Sequence, residues 1–199
     1  SVDSAMTAVF KSLAAGANPV AMEFLDALVI KALRQKFPQI SLPEHAGGIL
    51  VGDVDASSEA EIESQLQTLK ESFEAFGATD FIIAKDEEEG KKLWFARRNA
   101  SPATMIYGTK KLNEDISVPR SKLPVALEGI YKIGEKYGFN VPCFGHAGDG
   151  NIHVNVMVKD KNNEKEMEDG HKAIEEIFQY VVDLGGTLSG EHGIGTSKA

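Results

Sequence analysis

The sequence predicts an α+β fold with a mostly antiparallel sheet. Apolar residues at helical spacing alternate with short apolar or alternating runs, glycine and proline punctuate the junctions, and two late strands follow one another across a single glycine turn. Strands separated by single helices, with one hairpin, favour a sheet with helices packed on one face. Phe24, Leu25, Leu28, Val29 and Leu33 predict a helix over 21–35, ending before Pro38. Gly47 and Gly48 then lead into Ile49–Val54, which reads as a strand. Ser57 and Ser58 with Glu61 form an N-cap signature for a helix carrying Ile62, Leu66, Leu69 and Phe73 and closed by Gly77. Phe81–Ala84 reads as a second strand. Asp86–Glu89 place acids at the positive end of a helix that carries Leu93, Trp94 and Arg97 until Pro102 interrupts it.

Residues 104–114 are turn-like and polar, and Ile116–Val118 suggest a strand. Leu123–Tyr137 form a helix closed by Gly138, Val141–Phe144 are apolar, and Asn151–Val158 alternate along a strand. Glu164–Leu184 make a long amphipathic helix with Ile174, Ile177, Phe178, Val181 and Val182 inward, and Thr187–Ser189 a short last strand. The order is helix, then β-α-β-α, then β-α-β-β-α-β. Those last six elements have the pattern of a ferredoxin-like unit. The chain is therefore read as one domain over 1–199, made of two ferredoxin-like αβ lobes.

Composition excludes several classes. Of 199 residues, 42% are hydrophobic and 26% charged, as in ordinary globular proteins. Twenty-one basic against thirty acidic residues give −9, the wrong sign for a phosphate-backbone binder. The one cysteine, Cys143, sits in an apolar run as a core residue and excludes an intramolecular disulfide framework. No apolar run is long enough to span a membrane, and the first residues show no basic region leading an apolar stretch, which argues against a signal peptide, so a cytoplasmic location is expected.

Chemistry concentrates in two glycine-rich clusters. The first is Gly145-His146-Ala147-Gly148-Asp149-Gly150-Asn151-Ile152-His153-Val154-Asn155. Its glycines suit a tight turn that lets backbone approach a ligand. His153 and Asn155 share one face of the following strand while Ile152, Val154 and Val156 face the core. The second is Ser189-Gly190-Glu191-His192-Gly193-Ile194-Gly195. His146, His153 and Glu191 would together give a divalent metal two nitrogens and one oxygen, and three protein ligands leave a position open, as in catalytic sites. His192 would remain as a proton acceptor, since an imidazole titrates near neutrality. The plainer alternative is that turn histidines are solvated or capping groups and glycine turns are only turns. His45, beside Pro43, and His171, on an outer helix face, take that plainer reading. Gly190 to Gly195 has the gap of a phosphate loop but Thr196-Ser197-Lys198 follows in place of Lys-Ser/Thr, and no dinucleotide-binding glycine motif opens a helix.

At these residues the sequence resembles the C-terminal domain of the FAD-linked oxidases, a family that includes the glycolate oxidase FAD-linked subunit, D-lactate dehydrogenase and D-2-hydroxyglutarate dehydrogenase. The resemblance is carried by Leu93–Ala100, Asp115–Arg120, Gly145–Asn155 and Ser189–Gly195, in the family's order. The residues before Leu93 match only in general pattern. The resemblance implies that a metal (zinc, manganese or iron) held by His146, His153 and Glu191 chelates the carboxylate and hydroxyl of a 2-hydroxy acid. It further implies that His192 accepts the hydroxyl proton, that hydride passes from C2 to FAD, and that Arg97 grips the substrate carboxylate. Asn155 corresponds to a substrate-side amide and would otherwise be a hydrogen-bonded strand residue. Arg98, Lys110 and Lys111 are read as solvated charges.

Asn113 and Ser101 stand where the 2-hydroxyglutarate enzyme carries a lysine and a threonine for a distal carboxylate, which favours D-lactate or glycolate. The family's FAD-binding domain lies N-terminal to this region, so FAD is expected to be bound mainly outside this chain, which alone is expected to be inactive. The partners implied are that flavin domain, an electron-acceptor subunit, peripheral membrane attachment of the full enzyme, and self-association through an exposed apolar docking face. A rival reading is a stand-alone metal- or ligand-binding subunit that partners a separate flavoprotein.

Overall fold

Asp26 divides the first expected helix in two. In the computed structural model, which describes residues 1–193, its carboxylate accepts the Val29 N–H at 2.8 Å and caps a helix, α2, over Ala27–Lys36. Ala21–Asp26 before it are a strand, β1. Phe24 and Leu25 are both fully buried, so β1 is buried on both faces and shows no apolar–polar alternation. Its residues therefore merge with the stripe of the following helix. Ahead of it, α1 (Val2–Ala14) is a helix the sequence pattern did not single out.

The strand expected after Gly47 is β2 (Gly48–Asp53), and the capped helix is α3 (Glu59–Ala75). Ser58 Oγ accepts the Glu61 N–H at 3.3 Å, and the Glu61 carboxylate accepts the Ser57 N–H at 3.0 Å. The strand expected at 81–84 does not form. Phe81 packs on Phe73 with ring centroids 6.1 Å apart, while Ile82 and Ile83 are 70% and 53% exposed, too short a run to reach a sheet edge. Helix α4 (Glu87–Ala103) continues through Pro102 in its last turn. Strand β3 (Lys110–Ser117) starts well before the expected 116–118. Glu114 falls on the core side of its alternation and breaks the pattern by which the strand would be read.

The remaining elements follow expectation: α5 (Leu123–Tyr137), β4 (Cys143–His146), β5 (Asn151–Val158) and α6 (Glu164–Asp183). The expected last strand at 187–189 is reduced to one bridge between Ser117 and Thr187. Ile194, Gly195 and the Thr196-Ser197-Lys198 segment lie outside the described residues.

The five strands run antiparallel in the order β2-β1-β4-β5-β3. The class is α+β, as expected. Helices α1, α5 and α6, with α3 packed on α1, cover one face over Phe24, Ile116, Ile152 and Val154. Helices α2 and α4 cover part of the other, over Leu25 and Phe144, so the expectation of helices on one face holds for four of the six. Adjacent strand residues point to opposite faces, and here both Phe24 and Leu25, and both Cys143 and Phe144, are buried. Burying each such aromatic or leucine side chain stabilises by about 1.5–3 kcal/mol. Among the described residues no helix is long and apolar enough to cross a membrane.

Candidate metal and carboxylate site

The strand alternation that places Leu25 and Phe144 under α2 and α4 also gathers the polar side chains. Glu23 on β1, His146 on β4, His153 and Asn155 on β5, and Asn113 and Asp115 on β3 share that face. The pairing sets Glu23 opposite His146, Phe144 opposite His153, and Asp115 opposite His153. The β4–β5 turn closes at Gly150, whose φ of +80° and proximity to the Val118 carbonyl exclude a side chain.

The loop after α6 crosses back over this face and is held by Asp115. Its Oδ2 accepts the backbone N–H groups of Gly190, Glu191 and His192 at 3.1, 2.7 and 2.8 Å. Asn151 Nδ2 donates to Oδ1 at 2.5 Å. A Cβ at Gly190 would collide with the Asn151 amide and the Asp115 carboxylate, so glycine is required for the close approach. Burial pushes the Asp115 carboxyl up, but the His192 N–H, the Asn151 amide, the Glu191 N–H and the charge of His192 outweigh it and hold the pKa at about 2.

So anchored, Glu191 turns one oxygen into a cluster of imidazoles. Its Oε1 lies 3.3 Å from His146 Nε2, 3.4 Å from His153 Nε2 and 3.5 Å from His192 Nε2. Ligand atoms of His146, His153 and Glu191 all fall within 4.8 Å of one another. The His153 and His192 rings stack at 5.5 Å with planes 19° apart. Burial, then the positive charges of Arg97 and His146, push His153 down to about 4 against the pull of Glu191 and Asp115, so its ring is neutral at pH 7. Burial also opposes the charged form of His146, but the Glu23 hydrogen bond and charge, followed by Glu191, raise its pKa. His153 is almost buried, whereas Glu191 and His192 are open to solvent, so the cluster has one accessible side.

Arg97 reaches the site from α4. Its Nε donates to Glu23 Oε2 at 2.5 Å, and its guanidinium carbon lies 5.1 Å from the Phe144 ring centroid. Nε is thereby used, and the two Nη groups of the guanidinium are further donors. The other oxygen of Glu23 takes His146 Nδ1 at 2.5 Å. Asn155 lies beneath this level and is fully buried. Its Nδ2 donates to the carbonyls of Pro142 and His153 at 2.9 and 3.1 Å, and its Oδ1 accepts from Asn113 at 2.9 Å. That is the hydrogen-bonded strand role, and it leaves Asn113 as the exposed amide above it. Lys111 is half-buried instead of solvated, and its Nζ donates to Ser101 Oγ at 2.5 Å. Cys143 is a buried core residue.

The sequence-predicted set His146, His153, Glu191, His192 and Arg97 is thus brought together, while Asn155 supports the site from below. Two buried carboxylates, Glu23 and Asp115, were missed as site residues. A charged residue inside the apolar run 21–25 was the available signal for Glu23, and a helix over 21–35 concealed it. Asp115 lay inside a family-like segment without any role attached.

Comparison with known proteins identifies the family. The family described as FAD linked oxidases, C-terminal domain, matches residues 1–199, extending the likeness to the residues before Leu93. The glycolate oxidase subunit GlcD of Bacillus subtilis is 34% identical over 198 residues, covering 100% of this chain and 42% of that protein. D-lactate dehydrogenase of Anaerostipes hadrus is 30% identical over 186 residues, covering 90% of this chain and 39% of that protein. A solved structure of 4-ethylphenol oxidase from Gulosibacter chungangensis shares the fold, with a TM-score of 0.66 at 11% identity over 94% of this chain and 43% of that one. The chain spans about two fifths of the length of such relatives. By the match along its whole length, this chain belongs to the family of FAD-linked oxidase C-terminal domains.

Proposed function

We propose that this chain is the substrate- and metal-binding part of a flavin-dependent 2-hydroxy-acid dehydrogenase acting on D-lactate or glycolate. The observation that carries the reading is the convergence of Glu191 Oε1 with His146 Nε2 and His153 Nε2 at 3.3 and 3.4 Å, beside an arginine fork. These residues fit a divalent metal. Two imidazoles and one carboxylate leave coordination positions open, and each histidine has a carboxylate at its other nitrogen, Glu23 at 2.5 Å and Asp115 at 3.8 Å. That donor set suits zinc, manganese or iron. FAD is held mainly by polypeptide outside this chain, a reading supported by the family's description and by the share of the relatives' length that the chain spans.

A metal held by His146, His153 and Glu191 would supply Lewis acidity toward the substrate hydroxyl, and FAD would supply the hydride acceptor. Arg97 orients the substrate by taking its carboxylate on the Nη edge, a bidentate charge-assisted pairing. His192 Nε2, on the solvent side of Glu191, receives the hydroxyl proton. The stacked His153 ring and the Asp115 anchor hold that imidazole in place. A small substrate is favoured because Lys111, on the same face of β3 as Asn113 and Asp115, already donates to Ser101.

Calorimetric titration of D-lactate into the zinc-loaded chain tests this. Binding is expected to require zinc and to weaken about 10- to 100-fold in Arg97→Ala, the loss of charge-assisted hydrogen bonds. Equal binding by the metal-free chain, or by Arg97→Ala, would refute it.

A further inference from the structure

We propose that Glu23 is a positioning residue that couples the metal ligand to the carboxylate clamp, holding His146 with one carboxylate oxygen and Arg97 with the other. Given the roles proposed above for those two residues, one buried side chain then sets the geometry of both. Oε1 lies 2.5 Å from His146 Nδ1, and Oε2 lies 2.5 Å from Arg97 Nε. The side chain is 6% exposed and springs from β1, which is paired on both sides, Glu23 standing opposite Val51 on β2 and His146 on β4. The carboxylate has little freedom to follow one partner away from the other.

The chemistry of the contact fixes more than position. An ionised carboxylate only accepts hydrogen bonds, so the neutral His146 ring must carry its proton on Nδ1. Its Nε2 lone pair is then turned toward Glu191 and His153, the direction required for metal ligation. On the other side, Glu23 takes Arg97 by Nε alone and leaves the paired Nη edge for an anion, while the Phe144 ring supports the guanidinium. Glutamine has the same shape but one acceptor and one donor. With its oxygen on Arg97, its amide N–H would donate to His146 Nδ1 and move the ring proton to Nε2, where it blocks the metal.

Nitrogen-15 NMR of the 199-residue chain in alkaline buffer, where the rings are neutral, reads the tautomer directly. The wild type is expected to show His146 protonated on Nδ1, and Glu23→Gln to show it on Nε2. Zinc affinity in the variant, by chelator competition, is expected to fall about 10- to 100-fold. At saturating zinc, D-lactate affinity should fall as well, because Arg97 has lost its charged anchor. An Nε2–H tautomer in the wild type, or unchanged tautomer and zinc affinity in Glu23→Gln, would overturn the positioning role, and unchanged D-lactate affinity would overturn the coupling. If the variant does not fold, the wild-type tautomer alone decides. A wild type that takes up no zinc would sink the metal reading, while the tautomer would still decide the role of Glu23.

Discussion

Asp115 converts a glycine-rich loop into a fixed part of the site. Three consecutive backbone N–H groups end on its Oδ2, so the positions of Glu191 and His192 depend on one buried carboxylate. Its pKa is held at about 2, below the ordinary 3.8. The stabilisation this represents is present above pH 3.8 and is lost as the pH falls through about 2. At neutral pH it amounts to roughly 2 kcal/mol. Asp115→Asn is therefore expected to lose about that much stability at pH 7 in urea titrations and to converge with the wild type near pH 2. A constant difference across that range would remove the ionised carboxylate as the cause. The histidines and Glu191 were legible because glycine-flanked imidazoles are rare sequence features with a chemical use. Glu23 and Asp115 were not, since an isolated acid in a strand gains its meaning only from partners distant in sequence. Glu23 and His146 are 123 positions apart.

At the scale of elements, the β1–α2 junction decides which residues face the site. Were 21–35 one helix, Glu23 could not pair across the sheet with His146. Asp26 makes the break by capping α2, and it also accepts from the Cys143 N–H at 2.6 Å and the Tyr131 hydroxyl at 3.0 Å. Burial raises its pKa from 3.8 to about 6 in spite of these bonds. Its contribution to stability is fullest below pH 3.8 and is lost as the pH rises through about 6, a change on the order of 2–3 kcal/mol. Asp26→Asn retains a cap acceptor and carries no charge. Subtracting its urea midpoints from those of the wild type should reveal a slope between pH 4 and 6 that vanishes above that range, whereas parallel profiles would contradict a buried, titrating Asp26. Amphipathic α5 and α6 and the alternating β5 were legible because one face of each meets the core. Strands β1 and β3 escaped for opposite reasons. The first is buried on both faces, and the second is an edge strand whose Lys111, Asn113 and Asp115 serve the site instead of the core.

Across the whole molecule, the site joins parts of the chain that folding must first bring together. The candidate ligands come from β4, β5 and the loop after α6, with His146 and Glu191 45 positions apart. The polar side chains of the site lie on the sheet face that α2 and α4 cover in part. A ligand bound only by the folded arrangement stabilises it, by about 2.7 kcal/mol at a hundredfold excess over its dissociation constant. In the proposed function, His146, His153 and Glu191 form one metal site. Zinc content of the purified 199-residue chain, after incubation with zinc and removal of the excess, is to be measured beside that of His153→Ala. One zinc per chain in the wild type and none in the variant is the result expected. A wild type that retains no zinc, or a variant that retains as much, would contradict the claim.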